Sequence, residues 1–385
     1  MRLLFVTRLG GSPQYQMRWR SDVRLLMVSR LNPYSRPTRT IASYVEVGRR
    51  LGHEAVLFGE PLPDLPSIPT TVDPAGFDAV VFVVYESNDF PDLPYLARLL
   101  DGTDRDRRVV IDCSGRYNAT VRVDHDFNHL EKLEGHQGWE WIEGFEAVSG
   151  RILQPTPTPQ RDDVTPFLFH AYDPRHVARP YGSPAEAAEV WNAANGSAKP
   201  YGVAYLGNNW QRWSQVRQFL VGIEPIRDRL GPICLNGWDW DRRPEWAAQL
   251  GIAGIDVDPE LLTRLGVEVR WGVPFDEFTD FLGQARFVPV FQRPLYNHLR
   301  LVSNRVFETF CADTIPLLFL PADLAAALYG DAAADLTPDG DPAGFCEKVM
   351  ADPVPYWAAV LAAREHLAQE HSFERRFGQL LDILA

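Results

Sequence analysis

Lysine is nearly absent from this chain: Lys132, Lys199 and Lys348 are the only three in 385 residues, so almost all positive charge is guanidinium. Guanidinium is the better bidentate clamp for phosphate, although a bias of this kind also follows from genome composition. Net positive charge is missing as well. The 38 basic and 51 acidic residues leave −13, a balance that repels polyphosphate on average and argues against a role coating nucleic acid. No apolar run approaches the roughly 20 residues that span a bilayer, and arginines stand where a signal peptide would carry its apolar core. Cysteine is scarce, and Cys113, Cys234, Cys311 and Cys346 lie far apart, without the close spacings of a zinc site. Together these absences point to a soluble cytoplasmic protein with buried thiols and no metal.

What is present fits a full-sized globular chain. A 45% hydrophobic and 23% charged composition supplies a core and argues against general disorder. The length suggests two domains sharing a cleft. Residues 2–9 and 24–31 look like two versions of one strand, but only the second leads into a helix and another strand. Residues 1–22 are therefore set apart as an N-terminal extension. From Val23 the pattern is strand, loop, helix over Thr40–Leu51, then strand, with Ile41, Tyr44, Val45 and Leu51 on one helical face and Gly52 ending the helix in a left-handed turn. Apolar runs at Asp78–Tyr85, Arg108–Asp112 and Arg151–Gln154 continue the alternation. Proline-rich and polar stretches at 155–164 and 180–200 mark a boundary. The alternation then restarts at Tyr201 and runs to Leu320, before a strongly helical Tyr356–Leu384. Alternation of this kind implies parallel sheets covered on both faces.

In such sheets ligands bind beyond the carboxyl ends of the strands, which selects a short list. Gly207, Asn208 and Asn209, with Arg212 nearby, suit a diphosphate at a strand end. Gly237, Trp271 and Val273 follow later strands. Ser303 or Asn304 can cap a helix over Asn304–Cys311 and leave amides for an anion, Arg300 and Arg305 add positive charge, and Glu308 can accept hydrogen bonds from two sugar hydroxyls. Glu308 can equally complete a cap or pair with Arg305. Seven of the eleven tryptophans lie between Trp191 and Trp271, and Trp210, Trp213, Trp238 and Trp240 are candidates for stacking on a sugar, with packing as the commoner use of indole.

Five segments in order resemble the GT-B glycosyltransferases, in particular the CgeB-type and group 1 members. These are Gly52-His53-Glu54, Phe167–Pro174 (FLFHAYDP), Tyr205–Asn209 (YLGNN), Arg305–Leu318 (RVFETFCADTIPLL) and His371–Arg376. The resemblance implies an α/β fold of two Rossmann-like domains whose parallel sheets face an interdomain cleft, with a C-terminal helix packing back on the first domain. The domains would be 23–170 for the acceptor, 171–365 for a nucleotide-sugar donor, and 366–385 for the closing helix. It further implies metal-independent sugar transfer, without a cofactor, to a small-molecule, glycan or protein acceptor. Nucleic acid is disfavoured by the charge, although ten arginines in the first fifty residues speak for it. On this basis Glu308 would hold the ribose, Arg305 and the amides near Ser303 and Asn304 the diphosphate, and the Trp271–Pro274 loop would border the base. Gly207–Asn209 would lie beside the donor.

Two departures stand out. Asp313 replaces a glycine of the family pattern, and Arg300 stands where retaining members often have a second glutamate, so retaining chemistry does not follow. Arg300 and Arg305 are candidates to stabilise the leaving diphosphate. For an inverting reaction the base would come from the first domain, with Asp112 the first candidate and His125, between Asp124 and Asp126, the second. A nucleotide-sugar epimerase or hydrolase, or a binding protein without catalysis, would share the architecture.

Overall fold

The computed structural model describes residues 22–34, 36–118, 138–193, 199–249 and 254–385. The extension up to residue 21, and His125 with Asp124 and Asp126, lie outside the described residues. Among the described residues the first lobe holds seven parallel strands: β1 (Arg24–Val28), β2 (Glu54–Phe58), β3 (Thr70–Thr71), β4 (Ala79–Val84), β5 (Arg108–Asp112), β6 (Ile152–Gln154) and β7 (Val164–Pro166). Their order is β3-β2-β1-β4-β5-β6-β7. The second lobe holds β8 (Tyr201–Leu206), β9 (Ile233–Asn236), β10 (Val267–Arg270), β11 (Ala285–Phe291) and β12 (Ile315–Phe319), in the order β10-β9-β8-β11-β12, again all parallel. Two α/β lobes with parallel sheets are the architecture expected above.

The physical reason is legible strand by strand. β4 reads AVVFVV and is buried along its whole length, as a strand covered on both faces by helices must be. The helix Arg36–Arg50 presents Ile41, Tyr44 and Val47 to the sheet. Gly52 then turns the chain with φ +83°, as its placement suggested. Leu51, expected on the buried face, lies past the helix end and is exposed. The small strands β3 and β7 and the helix Gly138–Val148 have no counterpart in the sequence reading.

Each sheet reverses its strand order once, between β1 and β4 in the first lobe and between β8 and β11 in the second. At such a reversal the connections on either side diverge to opposite faces and leave a crevice at the carboxyl ends. The elements beside these crevices are the ones that meet across the cleft, as described below.

The C-terminal helical stretch is two helices. Val354–Glu370 buries Trp357, Val360, Ala363 and Leu367 in the second lobe. At Ser372, whose hydroxyl accepts from the Arg375 amide as a cap, the chain turns into Phe373–Leu384. That last helix returns to the first lobe, where Phe373, Phe377, Leu380 and Leu381 join the core under β1 and the helix Arg36–Arg50. Phe377 stacks on His53 with ring centroids 5.5 Å apart, and Gly48 is the small residue that lets its ring approach the helix.

The closing helix is therefore part of the first-lobe core. Phe377→Ala should lower stability by about 3–5 kcal/mol, the usual cost of deleting a fully buried ring. Urea unfolding followed by far-UV circular dichroism measures this, and a loss within the range of a surface substitution would refute it.

Candidate functional site

The two crevices face one another around a cavity of about 70 Å³. Arg39, Tyr85 and His170 enter it from the first lobe, and Leu206, Arg212, Phe275, Tyr296, Arg305 and Glu308 are among the residues that enter from the second. Arg39 lies in the helix that follows β1, and Tyr85 directly follows β4, so both flank the first reversal. Arg212 follows β8, while Arg305 and Glu308 follow β11, so these flank the second.

The centre of the site is an ion pair between lobes. Arg39 Nη1 lies 3.3 Å from Glu308 Oε1 and also donates to Thr279 Oγ1 at 3.3 Å. Side-chain exposures of 12% and 11% shield the pair from water. Burial pushes the Glu308 carboxyl above the ordinary carboxylate range, while Arg39, Asn304 and Arg305 act in the opposite direction. The carboxylate thus meets the first lobe and does not pair with Arg305 as the simplest sequence reading allowed.

Arg305 is held by the floor of the second lobe. Its Nη1 donates to Tyr205 Oη at 2.8 Å, and the guanidinium carbon lies 4.8 Å from the centre of that ring. Gly207 has φ +145°, and a Cβ there would come within 1.9 Å of Arg305 Nη2. Gly237, with φ +140°, brings its Cα so close to Gly207 that a Cβ would lie 2.5 Å from the Gly207 oxygen. Two glycines without side chains therefore let adjacent strand ends touch and open the space that the guanidinium occupies.

These contacts bear on several expected roles. Two of the amides at 207–209 are used within the lobe: Gly207 N donates to Asn236 O at 2.8 Å and Asn209 N to Trp238 O at 2.9 Å. The Asn209 side chain donates to Asp239 O and Asp256 O, and Asn208 Oδ1 accepts from the Trp238 amide. Arg212 lines the cavity and donates to Asn208 O at 2.9 Å. Ser303 and Asn304 line it too, but neither side chain caps the helix, which spans only Arg305–Glu308. The amides of Val306, Phe307 and Glu308 bond to the Ser303 and Asn304 carbonyls. Arg300 ends the helix Pro294–Leu299 with φ +55°, binds Asp323 at 2.8 Å and is not among the cavity residues. Trp271 is 79% exposed, Val273 packs against the second-lobe core, and Trp213 and Trp240 are core residues. Trp210 stacks on Trp246, and Trp238 meets Tyr34 of the first lobe edge-on at 5.8 Å.

Asp112 is likewise reassigned. It is fully buried and accepts five hydrogen bonds, from Ser114 N, Ser114 Oγ, Gly115 N, Tyr117 N and Gln154 Nε2. A carboxylate so committed organises the turn after β5 and has no lone pair directed at the cavity. Sequence reasoning missed Arg39 and gave no role to His170, although His170 lies within FLFHAYDP. Among the described residues no group of three His, Cys, Asp or Glu side chains stands close enough to hold a metal ion. All four cysteines are buried and none forms a disulfide. No helix among the described residues is long and apolar enough to cross a membrane.

No protein-family model matches the chain, and no curated protein matches it by sequence. Solved structures do match in fold. An alpha-glucosyltransferase in complex with UDP-glucose and DNA containing an abasic site superposes with a TM-score of 0.60 at 11% identity, covering 94% of this chain and 99% of that one. T4 phage BGT with its UDP-glucose substrate gives 0.55 at 12% identity, covering 94% and 97%. The same phage enzyme with UDP and Mn2+ gives 0.54 at 11% identity, covering 94% and 99%. The fold is therefore GT-B, and the CgeB-type resemblance rests on the sequence segments alone.

The raised Glu308 carboxyl has a pH consequence. The folded state binds this proton more tightly than the unfolded chain, so stability is lost as pH rises from the ordinary carboxylate value through the folded one. Glu308→Gln removes that dependence, so its stability relative to the parent should be more favourable at pH 8 than at pH 5. Urea midpoints at the two pH values give the difference, and an unchanged or reversed difference would contradict the assignment.

Proposed function

We propose that this chain is a glycosyltransferase that moves a sugar from a nucleotide-sugar donor to a hydroxyl-bearing acceptor. The observation that carries the reading is a buried carboxylate, Glu308, beside the guanidinium of Arg305 at the strand-order reversal of the second lobe of a GT-B fold. Such a carboxylate and guanidinium lining one cavity suit a ligand with a vicinal diol next to a diphosphate. The solved neighbours that bind UDP-glucose support the same choice and make UDP-glucose the first donor to test.

Departure of a nucleoside diphosphate develops negative charge, and fixed cations stabilise it without solvent reorganisation. Arg305 and Arg212 take that role in this proposal, and Arg300 is withdrawn from it. Because guanidinium groups supply the positive charge, the reaction is proposed to need no metal, a point for chelation to test since one neighbour holds Mn2+ with UDP. The division into 23–170, 171–365 and 366–385 belongs to the same proposal, with the acceptor reaching the cavity from the first-lobe side. Net charge argued against nucleic acid, but the neighbour in complex with UDP-glucose also holds DNA, so DNA joins small molecules, glycans and proteins as a candidate acceptor.

Calorimetric titration with UDP and UDP-glucose tests the donor assignment. The parent protein should bind UDP saturably, and Glu308→Ala and Arg305→Ala should each weaken binding at least about tenfold, equivalent to about 1.4 kcal/mol. EDTA should leave the affinity unchanged. Absence of saturable binding across the common nucleoside diphosphates would overturn the reading, and rapid isomerisation of the donor without an acceptor would favour an epimerase.

A further inference from the structure

One buried group at the cavity has no place in donor binding. His170 is 1% exposed, yet it lines the cavity beside Tyr85. Its Nδ1 lies 2.7 Å from Thr40 Oγ1 and its Nε2 lies 2.6 Å from Tyr85 Oη. Thr40 follows Arg39 in the helix after β1, Tyr85 follows β4, and His170 comes from the segment that leads toward the second lobe. Three elements with no local sequence relation thus converge to satisfy both nitrogens of one imidazole.

We propose that Tyr85 and His170 form a proton relay that activates the acceptor hydroxyl, with Tyr85 as the catalytic residue in contact with the acceptor and Thr40 as a positioning residue. This rests on the glycosyltransferase reading and adds its acceptor side. The tautomer assigned has Nδ1–H donating to Thr40 Oγ1, which leaves the Nε2 lone pair to accept from the Tyr85 hydroxyl. As the acceptor oxygen attacks the anomeric carbon, its proton passes to Tyr85 Oη and the phenolic proton passes to His170 Nε2. The new bond joins acceptor oxygen to C1. The bond from C1 to the diphosphate oxygen breaks with its electron pair, and the nucleoside diphosphate leaves. His170 is left as an imidazolium and returns its proton to solvent after release.

Elimination supports the choice. Of the described first-lobe residues lining the cavity, Arg39 offers only N–H donors and Tyr85 a phenolic hydroxyl, whereas the imidazole of His170 has a ring nitrogen lone pair to receive a proton. Asp112 is committed to its turn. Asp89, the other buried first-lobe carboxylate nearby in sequence, accepts from Ser29 Oγ and from the amides of Arg30, Tyr85 and Glu86. That last network fixes the backbone at Tyr85 and so the position of the phenol.

The test measures release of UDP from UDP-glucose, with water and an acceptor panel, alongside UDP affinity and melting temperature. His170→Gln places an amide where Nε2 stands and keeps a partner for Tyr85, but cannot take up the proton. Tyr85→Phe removes the hydroxyl alone. Both should lower kcat by about 10²–10⁴-fold, the usual contribution of a positioned proton-transfer group. UDP affinity and KM for UDP-glucose should change less than about threefold, since the interaction lost is made in the transition state. Retention of kcat within that margin by His170→Gln, in a folded protein, would show a structural imidazole and overturn the relay. If the parent binds UDP but releases none from UDP-glucose under any condition, the relay falls while the donor assignment stands. If the parent binds no nucleotide, the glycosyltransferase reading itself fails.

Discussion

A carboxylate buried between two lobes is tolerable only while something balances it, and the contact between Arg39 and Glu308 is the constraint on which the site depends. Removing one partner of such a pair typically costs about 3–5 kcal/mol, because the other charge is left buried and uncompensated. Burial nevertheless outweighs the neighbouring cations at Glu308 and raises its carboxyl. The pair is thus better explained as a site kept ready for a ligand than as a source of stability. Two sugar hydroxyls offer the carboxylate hydrogen-bond donors without a second buried charge, so a diol can take over the partner role of Arg39 at little electrostatic cost.

The second lobe braces the chain just beyond Glu308 and its very short helix. The carbonyls of Phe310 and Ala312, just beyond it, accept from Nε and Nη2 of the buried Arg364, each at 2.8 Å. Lys199 donates to Gly283 O at 2.9 Å and to Asp313. These contacts account for Asp313, which replaces a glycine of the family pattern. Its backbone does not adopt a positive φ, so glycine is not required there, and its carboxylate is used by Lys199 and by Tyr181 Oη at 2.5 Å. The substitution leaves the turn intact and ties the interlobe segment near Tyr181 to the end of the short helix.

Most of the fold was legible because parallel strands covered on both faces read as unbroken apolar runs, as in AVVFVV of β4 and YGVAYL of β8. Rules for where ligands bind in such sheets then selected Arg305 and Glu308 from local pattern alone. What escaped was long-range. Arg39 meets Glu308 across 269 residues and His170 meets Thr40 across 130, and no periodicity encodes either contact. Asp112 shows the opposite failure. A polar residue at a strand end satisfies the rule whether it faces the ligand or its own turn, but Ser114 and Gly115 two and three positions on carry the composition of an Asx turn. That signal was available and favoured the structural role. A related limit holds at 207–209: a Gly-Asn-Asn strand end looks open in sequence, while the neighbouring strand end around Gly237 comes close enough to accept from the Gly207 and Asn209 amides.

The cavity lies between the two lobes and is bordered by residues of both. The ties between them are unequal. On one side Tyr296 Oη donates to Cys113 O at 2.7 Å, Thr156 Oγ1 to Leu299 O at 3.1 Å, and Gly115 sits under Leu299 and Leu301 so tightly that a Cβ would lie 2.6 Å from a methyl carbon. These are buried contacts whose loss would strand polar groups away from water. On the other side stand Arg39 with Glu308, one backbone bond from Phe275 to Pro33 at 2.9 Å, and the edge contact of the exposed Tyr34 with Trp238. Those groups are either near solvent or, in the case of Glu308, supplied with new partners by the incoming sugar. On the glycosyltransferase reading, a parting of the lobes would cost least at the second set, where the ribose would be held.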